Sequence, residues 1–297
     1  MRGRLPHPLR FAHFAMGTTF ELIVAAEDST YAGQAGQAVF AEIDRLETLL
    51  NRFDPASEIS QISRLDPGES ISTGIEVFEC IQLALEMNME TKGAFSIFTD
   101  KEGKPLSLPA KNAPFPISLS QTAEGLKAVW ENGYGPGKEL DLGGLGKGYA
   151  LEKCLDILHD WGISRALIHG GTSTAVALGT PPGREHRGWP VGIGGLWEGT
   201  PKTFHLQNRA LSGSGTEVKG DHIYDPRTGG AAAGHQAAWI AHSSAAKADA
   251  LSTAFMVMSE EEVSSYCAQH PEVWALVVTG EKKFRIFQDG HVIIVSR

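Results

Sequence analysis

Cysteine is scarce in this 297-residue chain. Three occur, Cys80, Cys154 and Cys267, and they lie far apart. No Cys-x-x-Cys pair or zinc-ribbon spacing exists, and an odd count does not build a disulfide framework. Cys80 and Cys154 fall in stretches that read as apolar helix faces, where packing is the expected role. Positive charge is the scarcer sign: 26 Lys and Arg stand against 35 Asp and Glu, a formal net charge of -9. With no basic stripe, an acidic chain is a poor binder of nucleic acid, and no such partner is expected. No apolar run approaches the ~20 residues of a membrane helix. The opening Met1-Arg-Gly-Arg-Leu-Pro is basic but has no apolar stretch behind it. As written the chain reads as cytoplasmic, or periplasmic if an export signal has been trimmed. His-Glu-x-x-His, Gly-x-Ser-x-Gly and Asn-x-Ser/Thr are all missing.

What is present reads as a mixture of hairpins and helices. Thr18–Ala26 is expected to be a strand, and Tyr31–Asn51 a helix with Val39, Ile43, Leu46 and Leu50 on one face. Arg52-Phe-Asp-Pro-Ala-Ser-Glu-Ile-Ser is a turn that opens a short helical piece. Gly74–Lys92 is a second helix, with Gly93 expected at the residue just past its end. Asp100–Ser118 reads as a surface loop, Leu126–Glu131 as a strand and 133–137 as a turn. Lys147–Trp161 is a third helix. Strands are expected at Ala166–His169, Ala175–Leu178, Val191–Ile193 and Thr203–Leu211, with a loop over Gly179–Gly188. Ala246–Met258 is a helix with Ser244 as N-cap. A short helix and three strands end the chain. Without regular βαβ spacing the pattern favours α+β over a doubly wound parallel sheet.

Four segments can carry chemistry. In Leu140-Asp-Leu-Gly-Gly-Leu-Gly-Lys-Gly-Tyr-Ala a glycine-rich turn enters a helix. Backbone N–H groups at such a start can hold an anion, and Lys147 adds charge. The Walker and Rossmann patterns both fail there, and a tight packing turn is the plain alternative. Asp249 and Thr253, at i and i+4, share a helix face, a pairing that suits a hard cation. The plain alternative is a helix-dipole carboxylate beside a threonine bonded back to a carbonyl. Leu211-Ser-Gly-Ser-Gly-Thr reads as a loop, and His222-Ile-Tyr-Asp-Pro-Arg-Thr-Gly as a turn whose histidine can move a proton or bind phosphate. His169-Gly-Gly-Thr-Ser-Thr is a tight turn between two strands, rich in hydroxyls.

Together and in this order, these segments resemble the ApbE family, the FAD:protein FMN transferases. The likeness begins at Met16-Gly17-Thr18 and continues through Asp54-Pro-Ala-Ser-Glu-Ile-Ser and Gly93-Ala94-Phe95. It runs on through Asp141-Leu-Gly-Gly-Leu-Gly-Lys-Gly-Tyr-Ala and His222-Ile-Tyr-Asp-Pro-Arg-Thr-Gly, and closes at Ala248-Asp-Ala-Leu-Ser-Thr-Ala. The resemblance implies one domain over 1–297 with an α+β fold of two related halves, mixed or antiparallel sheets flanked by helices, and a flavin site between the halves. It implies FAD as substrate, with Mg²⁺, and transfer of FMN to a Thr or Ser hydroxyl of an acceptor flavoprotein, releasing AMP. Membrane association would come only through that acceptor. Carried over by position, Gly146, Asp249 and Thr253 match the metal ligands. Met16, Phe53, Ala94, Phe95, Ser96, Gly143 and Lys147 fall on the flavin-contacting positions. His222 matches a histidine needed for transfer, and either His222 or Asp249 can take the acceptor proton.

The chain departs from the family pattern at four places. Ser96 stands where an Asp is usual, Phe53 replaces a Tyr, Thr172 ends a turn that normally carries an acid, and Ser214-Gly215 stands where an aromatic residue is expected. The metal face is better kept than the adenine side. The resemblance therefore also admits a Mg²⁺-dependent FAD pyrophosphatase and a non-catalytic flavin binder. No acceptor motif of the family's kind occurs in the chain itself.

Overall fold

The computed structural model describes residues 8–106, 115–123, 125–131, 137–183, 186–194, 203–215, 223–232, 235–279 and 283–293. It opens with the hairpin β1 (Pro8–Ala15) and β2 (Thr18–Ala25), followed by α1 (Ser29–Leu50) and α2 (Glu58–Ser63). Next come β3 (Ser70–Ser72), α3 (Ile75–Glu90), β4 (Phe98–Asp100), β5 (Ile117–Thr122), β6 (Gly125–Trp130), β7 (Lys138–Leu140) and α4 (Gly146–Asp160). Strands β8 (Ala166–Gly170), β9 (Thr174–Leu178), β10 (Trp189–Gly192), β11 (Thr203–Leu206), β12 (Arg209–Gly215) and β13 (His235–His242) lead to α5 (Ala245–Phe255) and α6 (Glu260–Gln269). Finally β14 (Trp274–Thr279), β15 (Phe284–Gln288) and β16 (His291–Ile293) form a meander.

One sheet of nine strands, in the order β1-β2-β8-β9-β12-β13-β14-β15-β16, organises the molecule. Every neighbouring pair in it is antiparallel. The fold is therefore α+β with antiparallel sheets, as the alternation of hairpins and helices leads one to expect. Period-two alternation divides the strands between two cores. Phe20, Leu22, Ile168, Val176, Ala210 and Ile240 face the helices in the larger one. Ile23, Leu167, Ala177, Leu211, Trp239 and Leu276 face the other way, into a smaller core that includes Trp189 and Leu206 of the β10–β11 hairpin. With both faces covered, β9 is buried at all five residues.

The expected helices form, and their ends have local causes. The Asp28 side chain caps α1 by accepting from Thr30 and Tyr31 N–H, and Val39, Ile43, Leu46 and Leu50 are buried on its inner face. Helix α3 ends two residues earlier than expected, at Glu90. Thr91 turns its hydroxyl back to Met87 O at 2.7 Å. Lys92 (φ +53) then takes the first left-handed position, and Gly93 (φ +83) the next. Three strand expectations need correction. Thr203–Leu211 is not one strand: Asn208 (φ +49) breaks it, so β11 joins β10 while β12 joins the large sheet. The Ser/Gly stretch after Leu211 is not a loop but the body of β12, because β9 and β13 supply backbone partners on both sides and override the poor strand propensity of Gly and Ser. The loop expected to reach Ser118 gives way to β5 at Ile117. Most of the 133–137 turn lies outside the described residues.

The packing that matters most for function is the crossing of α4 on α5. Gly148 sits where the helices meet. A Cβ there would collide with the Ala245 carbonyl and stand 2.8 Å from Ala246 Cα. Gly148→Ala removes a glycine from a helix, worth up to about 1 kcal/mol. It also overpacks a backbone contact, which costs about 1–3 kcal/mol. Backbone cannot swing aside as a side chain can, so the second effect wins. A net loss of about 2 kcal/mol is expected in urea denaturation.

Two buried histidines give the fold a pH dependence. Burial holds His235 and His242 below the usual imidazole range. His235 donates from Nδ1 to Phe255 O at 2.7 Å, and His242 Nδ1 accepts the Ser244 N–H at 2.9 Å. Because the folded values are lowered, the unfolded chain takes up these protons first as pH falls. Their contribution is complete above the unfolded value of about 6.5 and is lost as pH drops from there toward the lowered folded values. Thermal unfolding at pH 5.5 is expected to begin lower than at pH 7.5. His235→Gln should narrow that gap.

Candidate functional site

The site is built around Asp249, which is 3% exposed. It lies on α5, whose N-cap Ser244 accepts from Lys247 N–H. A lone buried carboxylate is costly, so its partners decide what it can do. Oδ1 accepts from Ser212 Oγ at 2.9 Å and from Thr174 Oγ1 at 3.3 Å. Oδ2 accepts the Gly148 N–H at 3.1 Å and lies 3.7 Å from Lys147 Nζ. These donors come from β12, β9 and the first turn of α4, three elements distant in sequence.

The glycine-rich turn is the second wall. Helix α4 starts with no side-chain cap of its own. The Asp249 carboxylate, from the neighbouring helix, takes one of the amides that a cap would otherwise satisfy. Asp141 Oδ1 accepts the Gly143 N–H at 2.8 Å and shapes the turn. Lys147 Nζ donates to Gly143 O at 3.1 Å. A Cβ on Gly144 would stand 3.0 Å from Thr253 Oγ1 and 3.2 Å from Phe95 Cε2. Gly144 therefore lets Thr253, Phe95 and the turn share one small space. Among the described residues Thr253 Oγ1 has only long partners, Asp249 O at 3.4 Å and Ser214 Oγ at 3.5 Å.

The remaining expected residues fall into two groups. Ala94 and Phe95 are buried, and Phe95 is held through its backbone. Its N–H donates to Thr91 Oγ1 at 3.0 Å, and its carbonyl accepts from Asn88 Nδ2 at 2.6 Å. Ser96 Oγ accepts the Phe98 N–H at 3.2 Å. Ile97 O, next along, accepts the Asp141 N–H at 2.8 Å, so this segment lies against the start of the glycine-rich turn. Met16 sits in the two-residue turn of the β1–β2 hairpin with φ +49, followed by Gly17 at φ +69. A positive φ is unusual for methionine, and the primed hairpin turn imposes it. That turn lies beside the β8–β9 turn, where the Gly171 N–H donates to Thr19 O at 2.9 Å. Phe53 stands apart and is 79% exposed. Arg52 stacks 4.5 Å over its ring, and Arg52 Nε also approaches Asp141 Oδ2 at 3.4 Å. His222 lies outside the described residues. The turn after it is pinned by Arg227, which donates to Glu262 at 2.7 Å and to Val257 O at 2.9 Å.

The structure brings the expected Asp249, Thr253 and Lys147 together and places Gly146 as the first residue of α4; Thr174, Ser212 and Gly148 were not expected as partners of Asp249. Thr174 stood in the hydroxyl-rich turn already singled out, and Ser212 in the Ser/Gly stretch read as a loop. Nothing local tied them to Asp249, because the pairing of β9 with β12 brings them there (Ser212 opposite Thr174). Among the described residues no three His, Cys, Asp or Glu side chains converge to hold a metal. A cation at Asp249 would be met by one carboxylate together with hydroxyl and carbonyl oxygens.

Fold and site thus define an antiparallel α+β protein with a buried carboxylate facing a glycine-rich helix start. The model of the ApbE family matches residues 16–277, and the chain belongs to that family. A Chlamydia muridarum protein named FAD:protein FMN transferase is 24% identical over 220 residues, and the alignment covers 66% of each chain. The match thus spans just under two thirds of that relative's length. The solved structure of the Pseudomonas stutzeri flavinyl transferase ApbE superposes with a TM-score of 0.80 at 19% identity, covering 97% of this chain and 98% of that one. The Thermotoga maritima ApbE protein gives 0.76 at 22% identity, covering 94% and 96%. The Vibrio cholerae flavin transferase ApbE gives 0.77 at 18% identity, covering 95% and 96%. At these identities the superpositions speak for the fold.

The hydroxyl that anchors Asp249 can be tested directly. Ser212 is fully buried and donates to a carboxylate, a class of hydrogen bond worth about 1.5–3 kcal/mol. Ser212→Ala is expected to lower the stability to urea by that amount.

Proposed function

We propose that this protein transfers FMN from FAD to a Thr or Ser hydroxyl of a separate acceptor protein, with Mg²⁺ at Asp249. The observation that carries the reading is the convergence of a buried carboxylate, a cationic Lys147 and a glycine-rich helix start at one point. Membership of the ApbE family and the name of the Chlamydia relative support it.

The donor set suits the metal. Asp249, Thr253 and the Gly146 carbonyl offer only oxygen, the ligand that hard divalent cations prefer. The long hydrogen bonds of Thr253 Oγ1 leave its lone pairs largely unused. Bound Mg²⁺ would neutralise charge on the pyrophosphate. The chain's own residues do the rest. Lys147 and the start of α4 attract the phosphates. Phe95 walls the space beside the turn, and exposed Phe53 offers a ring for an aromatic ligand to stack on. In the reaction the acceptor oxygen bonds to the FMN phosphorus, the P–O–P bond breaks, and AMP leaves. A base must take the acceptor proton. In this reading Asp249 is committed to the cation, so it is not the group that takes the proton. We assign the proton to His222.

The test uses purified protein, FAD, Mg²⁺ and an acceptor domain carrying the family's flavinylation motif, read by intact mass. The acceptor should gain one FMN, and EDTA should abolish the gain. Asp249→Ala should slow transfer roughly 100-fold or more, as loss of a principal charge-stabilising group does. His222→Ala should also slow it. An unmodified acceptor beside released AMP would point to a pyrophosphatase instead.

A further inference from the structure

Helix α5 carries no acidic residue in its own first turn. Its start is held from outside by Glu152 of α4. Glu152 Oε2 accepts from Ala246 N–H at 3.0 Å and from Ser244 Oγ at 3.1 Å. Ser244 is the N-cap residue, and Ala246 lies one helical turn before Asp249, at i and i+3. The contact runs in both directions. Asp249 of α5 takes the Gly148 amide of α4, and Glu152 of α4 takes the Ala246 amide of α5. Between these two bonds lies the glycine contact that permits no side chain. Glu152 is half-buried, and burial pushes its carboxyl above the usual range while the two donors pull it back. A carboxylate kept there against desolvation must be compensated by what it binds.

We propose that Glu152 is the positioning residue of the cation site: it sets the height of α5 against α4, and so the placing of Asp249 and Thr253 against the glycine-rich turn. This rests on the assignment of the metal to Asp249. Both hydrogen bonds end on a single oxygen, so a glutamine can keep them while an alanine cannot. That separates geometry from charge.

The experiment titrates Mn²⁺ into the purified protein without FAD, reading free Mn²⁺ by electron paramagnetic resonance. Thermal unfolding and amide exchange of residues 245–249 are followed alongside. Glu152→Ala is expected to bind Mn²⁺ at least tenfold more weakly than wild type at a temperature where it remains folded. Glu152→Gln is expected within about threefold of wild type. Amide exchange at the start of α5 should quicken in the alanine variant alone. A folded Glu152→Ala protein with wild-type Mn²⁺ affinity overturns the proposal, even if its unfolding temperature has dropped. So does a glutamine variant as weak as the alanine one, because charge rather than position would then be responsible. If wild type binds no Mn²⁺, or Asp249→Ala binds it equally well, the metal assignment fails and takes the proposal with it.

Discussion

The structure depends on two helices that cap one another. Each of α4 and α5 begins with backbone amides that need an acceptor, and each receives a carboxylate oxygen from its neighbour. Gly148 makes this possible by letting backbone meet backbone at the crossing. Because the first turns are cross-linked, the glycine-rich turn and the Asp249–Thr253 face cannot move independently. A site that must act on a charged ligand gains most from groups held in place before the ligand arrives.

The way Asp249 is held follows the same logic. A buried ion pair alone compensates poorly for desolvation, and neutral donors are the steadier solution. Two hydroxyls and one amide hold this carboxylate in hydrogen bonds, while the ammonium of Lys147 stands at 3.7 Å. The hydroxyls come from strands in the middle of the nine-stranded sheet. The sheet is thus the rigid base, and α5 is the element laid across it. This division would suit the flavin transfer proposed above.

Much of this was legible in the sequence, for reasons that differ by element. Helices α1, α3, α4 and α5 announce themselves through apolar spacing and through caps such as Ser244, both of which are local signals. Asp249 and Thr253 were legible because an i, i+4 pair needs nothing beyond a helix. The residues that complete the Asp249 environment were not. Thr174 and Ser212 are 38 residues apart and meet only through sheet register. Strand β13, with its run of alanines, carries no period-two pattern, and β12 is full of glycine and serine. Both are strands because of their neighbours, a tertiary cause that no window of sequence contains. Gly148 looked like part of a ligand-binding turn. Its closest contact is with another helix.

Strand β12 serves two masters. Ala210, Ser212 and Ser214 face the helices, and Ser212 and Ser214 bond to groups on α5. Leu211 lies in the opposite core, and Gly213 lies under the ring of Trp239. The strand is therefore a two-sided code read with period two, and insertion or loss of one residue inverts it. An inverted β12 would press Leu211 against a buried carboxylate and push serines beneath an indole that tolerates no Cβ. Tolerance to insertion should thus end abruptly at Arg209 and resume only after Gly215. Any lengthening of this region in related chains would have to fall in the connections on either side.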